Sequence, residues 1–349
     1  MADVRLCQLD GSLPNVALMG IARWHIERGD TVHLFRGRRC VYRGQAEPEY
    51  ARVYASTIFK FTAPLLERFR AEWPEAIIGG TGTDSRQTVA DVLGEEPAGL
   101  DYSPWPEFSA SIGYTHRGCD LKCKWCVVPK MEPGGARSTA SIADLWRGEG
   151  YPRHLHLLDN SFFAQPLWRE RIAEIKDGGF KVSFSQGVNI RSLTPETAAA
   201  LASVDYRADN FKERRIYCAW DNLGDEDVFF RGVRLLEDAG VPPSHLMAYM
   251  LTGFDKAETF ERIERRFWRM AEIGIRPYPM VFDPPRNGLA TRDLKRFQRW
   301  AIMQRYHACA FADFDESKRD RKKRPDLPDL FAADPAARAL PLTSKEDRT

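Results

Sequence analysis

The chain is predicted to be an α/β protein: a small N-terminal open parallel-sheet (Rossmann-like) domain followed by a partial (β/α)6 TIM-type barrel. Three observations carry this. The length of 349 residues suits one large barrel or two domains in series. Short β-prone runs alternate with stretches of helical periodicity, which implies parallel strands joined by helices. A Pro-punctuated segment without periodicity, Glu95 to Pro106, separates the two series of repeats.

In the first series, residues 4–9 are β-prone. Asn15 to Gly29 reads as a helix, with Val16, Met19, Ile21, Trp24 and Ile26 apolar and Gly29 as its stop. Strands follow at 31–35 and 52–59, then a helix at about 63–73, then a strand at 76–78 that runs into Gly79-Gly80-Thr81-Gly82. The first domain thus occupies residues 1–100. In the second series, strands are expected near 110–115, 154–158, 180–185, 214–220, 245–251 and 276–282. Helices are expected at about 166–177, 195–203, 225–239 and 257–273. Six strands are too few for a closed eight-stranded barrel, so the second domain, 108–285, is expected to be partly open, with functional groups at the carboxyl ends of its strands. An amphipathic helix at 290–307 belongs to a C-terminal extension, 286–315, and residues 316–349 form a basic, Pro-rich tail expected to be disordered.

Composition narrows the function. A hydrophobic content of 43% is enough to build a core, and 51 basic against 49 acidic residues exclude a protein that wraps nucleic acid by overall charge. No window approaches the roughly 18 apolar residues of a membrane span, and the N-terminus does not read as a signal sequence. The expectation is a soluble, cytoplasmic protein with no membrane partner. Seven cysteines without a secretion signal point to reduced thiols rather than a disulfide framework.

Three of those cysteines cluster. Cys119, Cys123 and Cys126 fall in a loop directly after the strand ending at Tyr114-Thr115, on the functional rim of an α/β barrel. Three soft thiolates can hold three irons of a [4Fe–4S] cube and leave the fourth without a protein ligand, whereas an electron-transfer cluster ordinarily uses a fourth cysteine. Two other readings stand beside this one: a Cys3His zinc site completed by His116, which would make the chain a non-enzymatic nucleic-acid-binding protein, and a fortuitous group of free thiols.

The spacing CxxxCxxC, with Trp125 directly before the third cysteine and five further strand–helix repeats behind it, resembles the radical S-adenosylmethionine superfamily over about residues 108–285. The resemblance implies that the open iron chelates S-adenosylmethionine. One electron, from a reductant of flavodoxin or ferredoxin type, then cleaves it to a 5′-deoxyadenosyl radical that abstracts hydrogen. It also implies cofactor contacts from Trp125, from Asp159 and Asn160 after the second strand, from Ser185 and Arg191 after the third, from Asp221 after the fourth and from Gly253 after the fifth. Local roles compete with some of these: a helix N-cap at Asn160 or Ser161, and a surface pair of Arg191 with Glu196.

An α/β domain ahead of such a barrel resembles the cobalamin-binding domains of one branch. That branch's Asp-x-His-x-x-Gly motif is replaced here by Asp10-Gly11-Ser12-Leu13-Pro14-Asn15, without the cobalt-ligating histidine, which argues against cobalamin. Gly79-Gly80-Thr81-Gly82 reads as a phosphate or corrin cradle or as a plain tight turn. Methyl transfer through a corrin recedes without that histidine, and sulfur insertion recedes because no Cys-rich extension offers a second cluster, although a methyltransferase or methylthiotransferase-like activity stays as the alternative. A rearrangement or carbon–carbon bond change comes forward, of the kind by which some relatives rearrange an amino acid attached to a pyrimidine of phage-type hypermodified DNA. The run Lys318, Arg319, Asp320, Arg321, Lys322, Lys323, Arg324 fits a nucleic-acid substrate or a solvated tail. Trp300, Tyr306 and Phe311 ahead of it offer base stacking or core packing.

Overall fold

The structure, a computed structural model, describes residues 1–315. The basic run 318–324 and its six cationic residues lie outside the described residues. By internal contacts the chain forms two compact units, 1–218 with 231–245, and 219–230 with the chain from 246 onward.

The first unit opens with a four-stranded parallel sheet. Its strands are β1 (Asp3–Gln8), β2 (Thr31–Arg36), β3 (Arg52–Ser56) and β4 (Ile77–Gly79), in the order β2-β1-β3-β4. Helix α1 (Val16–Glu27) starts where Asn15 accepts a hydrogen bond from the Leu18 N–H, and helices α2 (Ala63–Glu72) and α3 (Val89–Leu93) complete the layer. The third strand is shorter than its β-prone run, because residues 57–59 leave the sheet to bind Asp10.

Residues 95–106 do not divide the packing here. Trp105 is fully buried in one core with Val4, Leu6, Leu18 and Ile112, and its indole N–H donates to Gln8 Oε1 at 3.2 Å. An apolar side chain of that size anchors a linker that composition alone marks as loose.

Beyond it come β5 (Ser111–Gly113) and an antiparallel pair, β6 (His116–Arg117) and β7 (Arg137–Ser138), enclosing the short helix α4 (Val128–Met131). They are followed by α5 (Ile142–Leu145), β8 (His154–Leu157), α6 (Trp168–Asp177), β9 (Lys181–Phe184), α7 (Pro195–Ala202) and β10 (Asp205–Tyr206). Strands β10-β9-β8-β5 form a second parallel sheet. Its register sets Ile112, His156 and Ser183 side by side on one face, while Leu155, Leu157, Val182 and Phe184 are buried on the other. The β6–β7 pair and β10 have no counterpart in the sequence pattern, since two-residue strands carry no periodicity to read.

The chain continues through β11 (Ile216–Ala219), α8 (Glu226–Asp238), β12 (Leu246–Thr252), α9 (Phe260–Ala271), β13 (Arg276–Val281) and α10 (Thr291–Ile302). In the second unit β12 and β13 pair in parallel from Met247–Arg276 to Thr252–Val281. Trp300 is 1% exposed and packs in tilted and edge-on contacts with Phe267, Phe297, Tyr306 and Phe311. Of the two roles open to it in the sequence, Trp300 takes core packing. Among the described residues no helix is long and apolar enough to cross a membrane.

Candidate functional site

The cysteine loop is launched from the carboxyl end of β5 by a buried carboxylate. Asp159, immediately past β8, is 3% exposed. It accepts from the Thr115 N–H at 2.8 Å, the Thr115 hydroxyl at 2.6 Å and the His116 N–H at 3.0 Å. Burial outweighs these bonds and pushes its carboxyl up to about 6. Gln165 adds a second tie, donating to Thr115 Oγ1 at 2.9 Å. Asp159 thus fixes the direction in which the chain leaves the sheet.

The loop is closed at its base by Gly118 and Glu132. Gly118 has φ +82°, and a Cβ there would sit 1.9 Å from the Gly135 carbonyl oxygen, so only glycine lets the two backbones meet. Its N–H donates to Glu132 Oε2 at 2.5 Å. Arg117 pairs with Oε1 of the same carboxylate at 2.6 Å, and Asn160 Nδ2 reaches Oε2 at 3.4 Å. Asp120 Oδ1 accepts from the Ala136 N–H at 2.9 Å. Asn160 therefore stands at the base of the thiol loop, and Ser161 makes no capping bond. Glu132 escaped sequence reasoning. Its only signal there is an acid placed just after the short helix that follows the third cysteine.

Between these ties the three thiols are each partly exposed, and the Cys126 N–H donates to the Cys123 carbonyl in a tight turn. Burial raises the Cys119 thiol above its ordinary value, with the Arg191 guanidinium opposing. Arg191 Nη2 lies 3.7 Å from Cys123 Sγ. Glu196, the surface partner open to Arg191 in the sequence, is held by Arg169 through two contacts of 2.8 Å. Trp125 is half-buried in the loop.

His116 is fully buried, neither ring nitrogen has a hydrogen-bond partner, and burial lowers its pKa, which favours the neutral ring. Among the described residues no three or more His, Cys, Asp or Glu side chains converge as one metal ion requires. A Cys3His zinc site needs its four donors within bonding distance of a single point, and that geometry is not present. A cube makes a different demand, since each cysteine takes a different iron. Three soft, partly exposed donors on one loop fit that group.

Ser185 belongs to a neighbouring network on the His156 face. Asp209 Oδ1 accepts from Ser183 at 2.6 Å and Ser185 at 2.9 Å, and His156 Nδ1 lies 3.2 Å from Ser185 Oγ. These contacts hold the Asp209 carboxyl below the usual range although burial opposes them. Phe211, at φ +55°, stacks on His154 at 4.5 Å and meets His156 edge-on at 4.7 Å.

Asp221 and Gly253 belong to the second unit. The Leu251 N–H donates to Asp221 Oδ1 at 3.1 Å. Gly253 has φ +83° and donates to Glu258 Oε2 at 2.8 Å; Glu258 in turn pairs with the fully buried Arg266.

At the rim of the first sheet, Asp10 is engaged by the Thr57 hydroxyl at 2.7 Å, the Ile58 N–H at 2.7 Å, the Phe59 N–H at 3.0 Å and the Thr62 hydroxyl at 2.7 Å. The glycine run packs onto the same residues, with the Gly82 N–H donating to the Thr57 carbonyl and the Thr83 N–H to Gly80.

No family model matches the chain, and no curated protein matches it. Among solved structures the chain is similar to the apo, selenomethionine-labelled cobalamin-dependent S-adenosylmethionine radical enzyme OxsB. The TM-score is 0.44 at 12% identity, over 88% of this chain and 56% of that one, so the chain spans little more than half that protein's length.

Proposed function

We propose that the protein is a radical S-adenosylmethionine enzyme whose cluster ligands are Cys119, Cys123 and Cys126. The observation that carries this reading is a loop with three partly exposed thiols, launched from the carboxyl end of a parallel strand by Asp159 and closed at its base by Gly118 and Glu132. Bound there, a [4Fe–4S] cluster with one open iron would supply single-electron cleavage of S-adenosylmethionine to a 5′-deoxyadenosyl radical.

The chain's own part is positioning. Asp159 fixes the strand exit, and Glu132 holds the Gly118 N–H and Asn160 together. Ser185, oriented by Asp209, offers a hydroxyl at the rim of the same sheet. The reading contains no corrin, because Asp10 is taken up by residues 57–62 and Ser12 stands where a cobalt-ligating imidazole is needed.

The reaction we infer is a rearrangement or carbon–carbon bond change after hydrogen abstraction. The basic run 318–324 is the feature that favours a substrate carried on nucleic acid, such as an amino-acid-modified pyrimidine.

Anaerobic reconstitution with iron and sulfide tests the class. About four irons per chain are expected, with release of 5′-deoxyadenosine once dithionite and S-adenosylmethionine are added. About one zinc and no iron after anaerobic purification would instead make it a metal-binding module.

A further inference from the structure

Arg191 sits on the short 3-10 turn Ile190–Ser192 that follows β9. Its backbone is held from two sides. Ile190 is 1% exposed, and a Cβ on Gly232 of helix α8 would stand 2.3 Å from the Ile190 carbonyl oxygen, so the helix is pressed against the turn. Arg231 Nη2 donates to the Arg191 carbonyl at 2.6 Å. The side chain is steered by Asn189 Oδ1, 3.3 Å from Nε, and Nη2 reaches Cys123 Sγ across 68 residues of sequence. A planar guanidinium that cannot lose its proton is thereby set against one specific thiol of the loop.

We propose that Arg191 sets the reduction potential of the cluster by donating an N–H to the Cys123 sulfur. The inference rests on the reading that Cys119, Cys123 and Cys126 are cluster ligands. A reduced cluster carries one more negative charge than an oxidised one, and its sulfurs share that charge. A fixed cation and an N–H···S hydrogen bond favour the reduced form more than the oxidised form, which raises the midpoint potential. Arg191 is then a positioning residue for Cys123, and the guanidinium serves electron entry rather than recognition of a substrate acid.

The test compares the full-length reconstituted protein with Arg191→Gln and Arg191→Lys, measuring iron per chain and the midpoint by potentiometric titration followed by electron paramagnetic resonance. At equal iron content, the Gln variant is expected to titrate at a lower potential than the wild type and the Lys variant between them. Arg191→Met replaces Gln in the comparison if Gln loads iron poorly. A midpoint in either uncharged variant equal to the wild type overturns the inference and leaves the cluster reading intact. A wild-type protein that takes up no iron overturns the cluster reading itself, and the iron analysis separates the two failures.

Discussion

Both parallel sheets of the first unit end in an aspartate that gathers the next loop, yet the two rims come out opposite. At the first rim, Asp10 accepts four donors from residues 57–62, the glycine run 79–82 packs onto the same segment, and Cys7 and Cys40 are sealed in the core beneath. At the second, Asp159 accepts three donors from Thr115 and His116 and so directs outward a loop whose three thiols are partly exposed. The difference lies in what the carboxylate grips. Asp10 binds groups spread along the whole segment 57–62 that joins β3 to α2, and so draws it down over the strand ends. Asp159 binds Thr115 and His116 at the start of a loop whose thiols follow at Cys119, Cys123 and Cys126.

The largest expected effect is all or none. Cys123→Ala is expected to abolish iron uptake and cleavage of S-adenosylmethionine, while Cys7→Ala, at the sealed rim, keeps the full iron complement. Iron and sulfide analysis of both variants checks this, and a Cys123→Ala protein that loads and cleaves normally would refute the assignment.

Glycine replacements come next. In Gly118→Ala the new Cβ falls 1.9 Å from the Gly135 oxygen, and in Gly80→Ala it falls 2.2 Å from the Thr57 oxygen, both at positive φ. Each is expected to destabilise by about 4 kcal/mol in denaturant titrations. Only Gly118→Ala should also lose iron. Gly29→Ala, at φ +80° with nothing within 4 Å, isolates the conformational cost at about 1 kcal/mol.

The pH dependence of Asp159 sharpens the contrast further. Its folded pKa of about 6 lies above the ordinary carboxyl value, so the unfolded chain releases this proton first. Stability from this group is present at low pH, falls between about pH 4 and pH 6, and is flat above, a change of about 3 kcal/mol. Asp159→Asn should remove that slope; parallel stability–pH curves for the two proteins would count against it. Asp10→Ala is expected to cost about 2 kcal/mol from four donors left partly to water, less than the Asp159 change, with iron content unchanged.

Much of the fold is legible in the residues. The four strands of the first sheet and the six expected in the second series all form, and Asn15 caps its helix where the periodicity begins. Less of the site is legible. The resemblance marks Asp159 and Asn160 as cofactor contacts; in the structure Asp159 binds Thr115 and His116, and Asn160 lies against Glu132, partners that no local pattern names. Arg191 reaches Cys123, and Glu196 is bound by Arg169.

Sequence alone determined the alternation of strands and helices and the placing of three thiols one loop beyond a strand, because periodicity, caps and short spacings are properties of neighbouring residues. Tertiary structure decided which carboxylate seals a rim and which launches a loop, and which cation meets a thiol. Those contacts join residues 44, 47 and 68 positions apart, and at such separations burial and backbone packing choose the partner among several of equal chemistry.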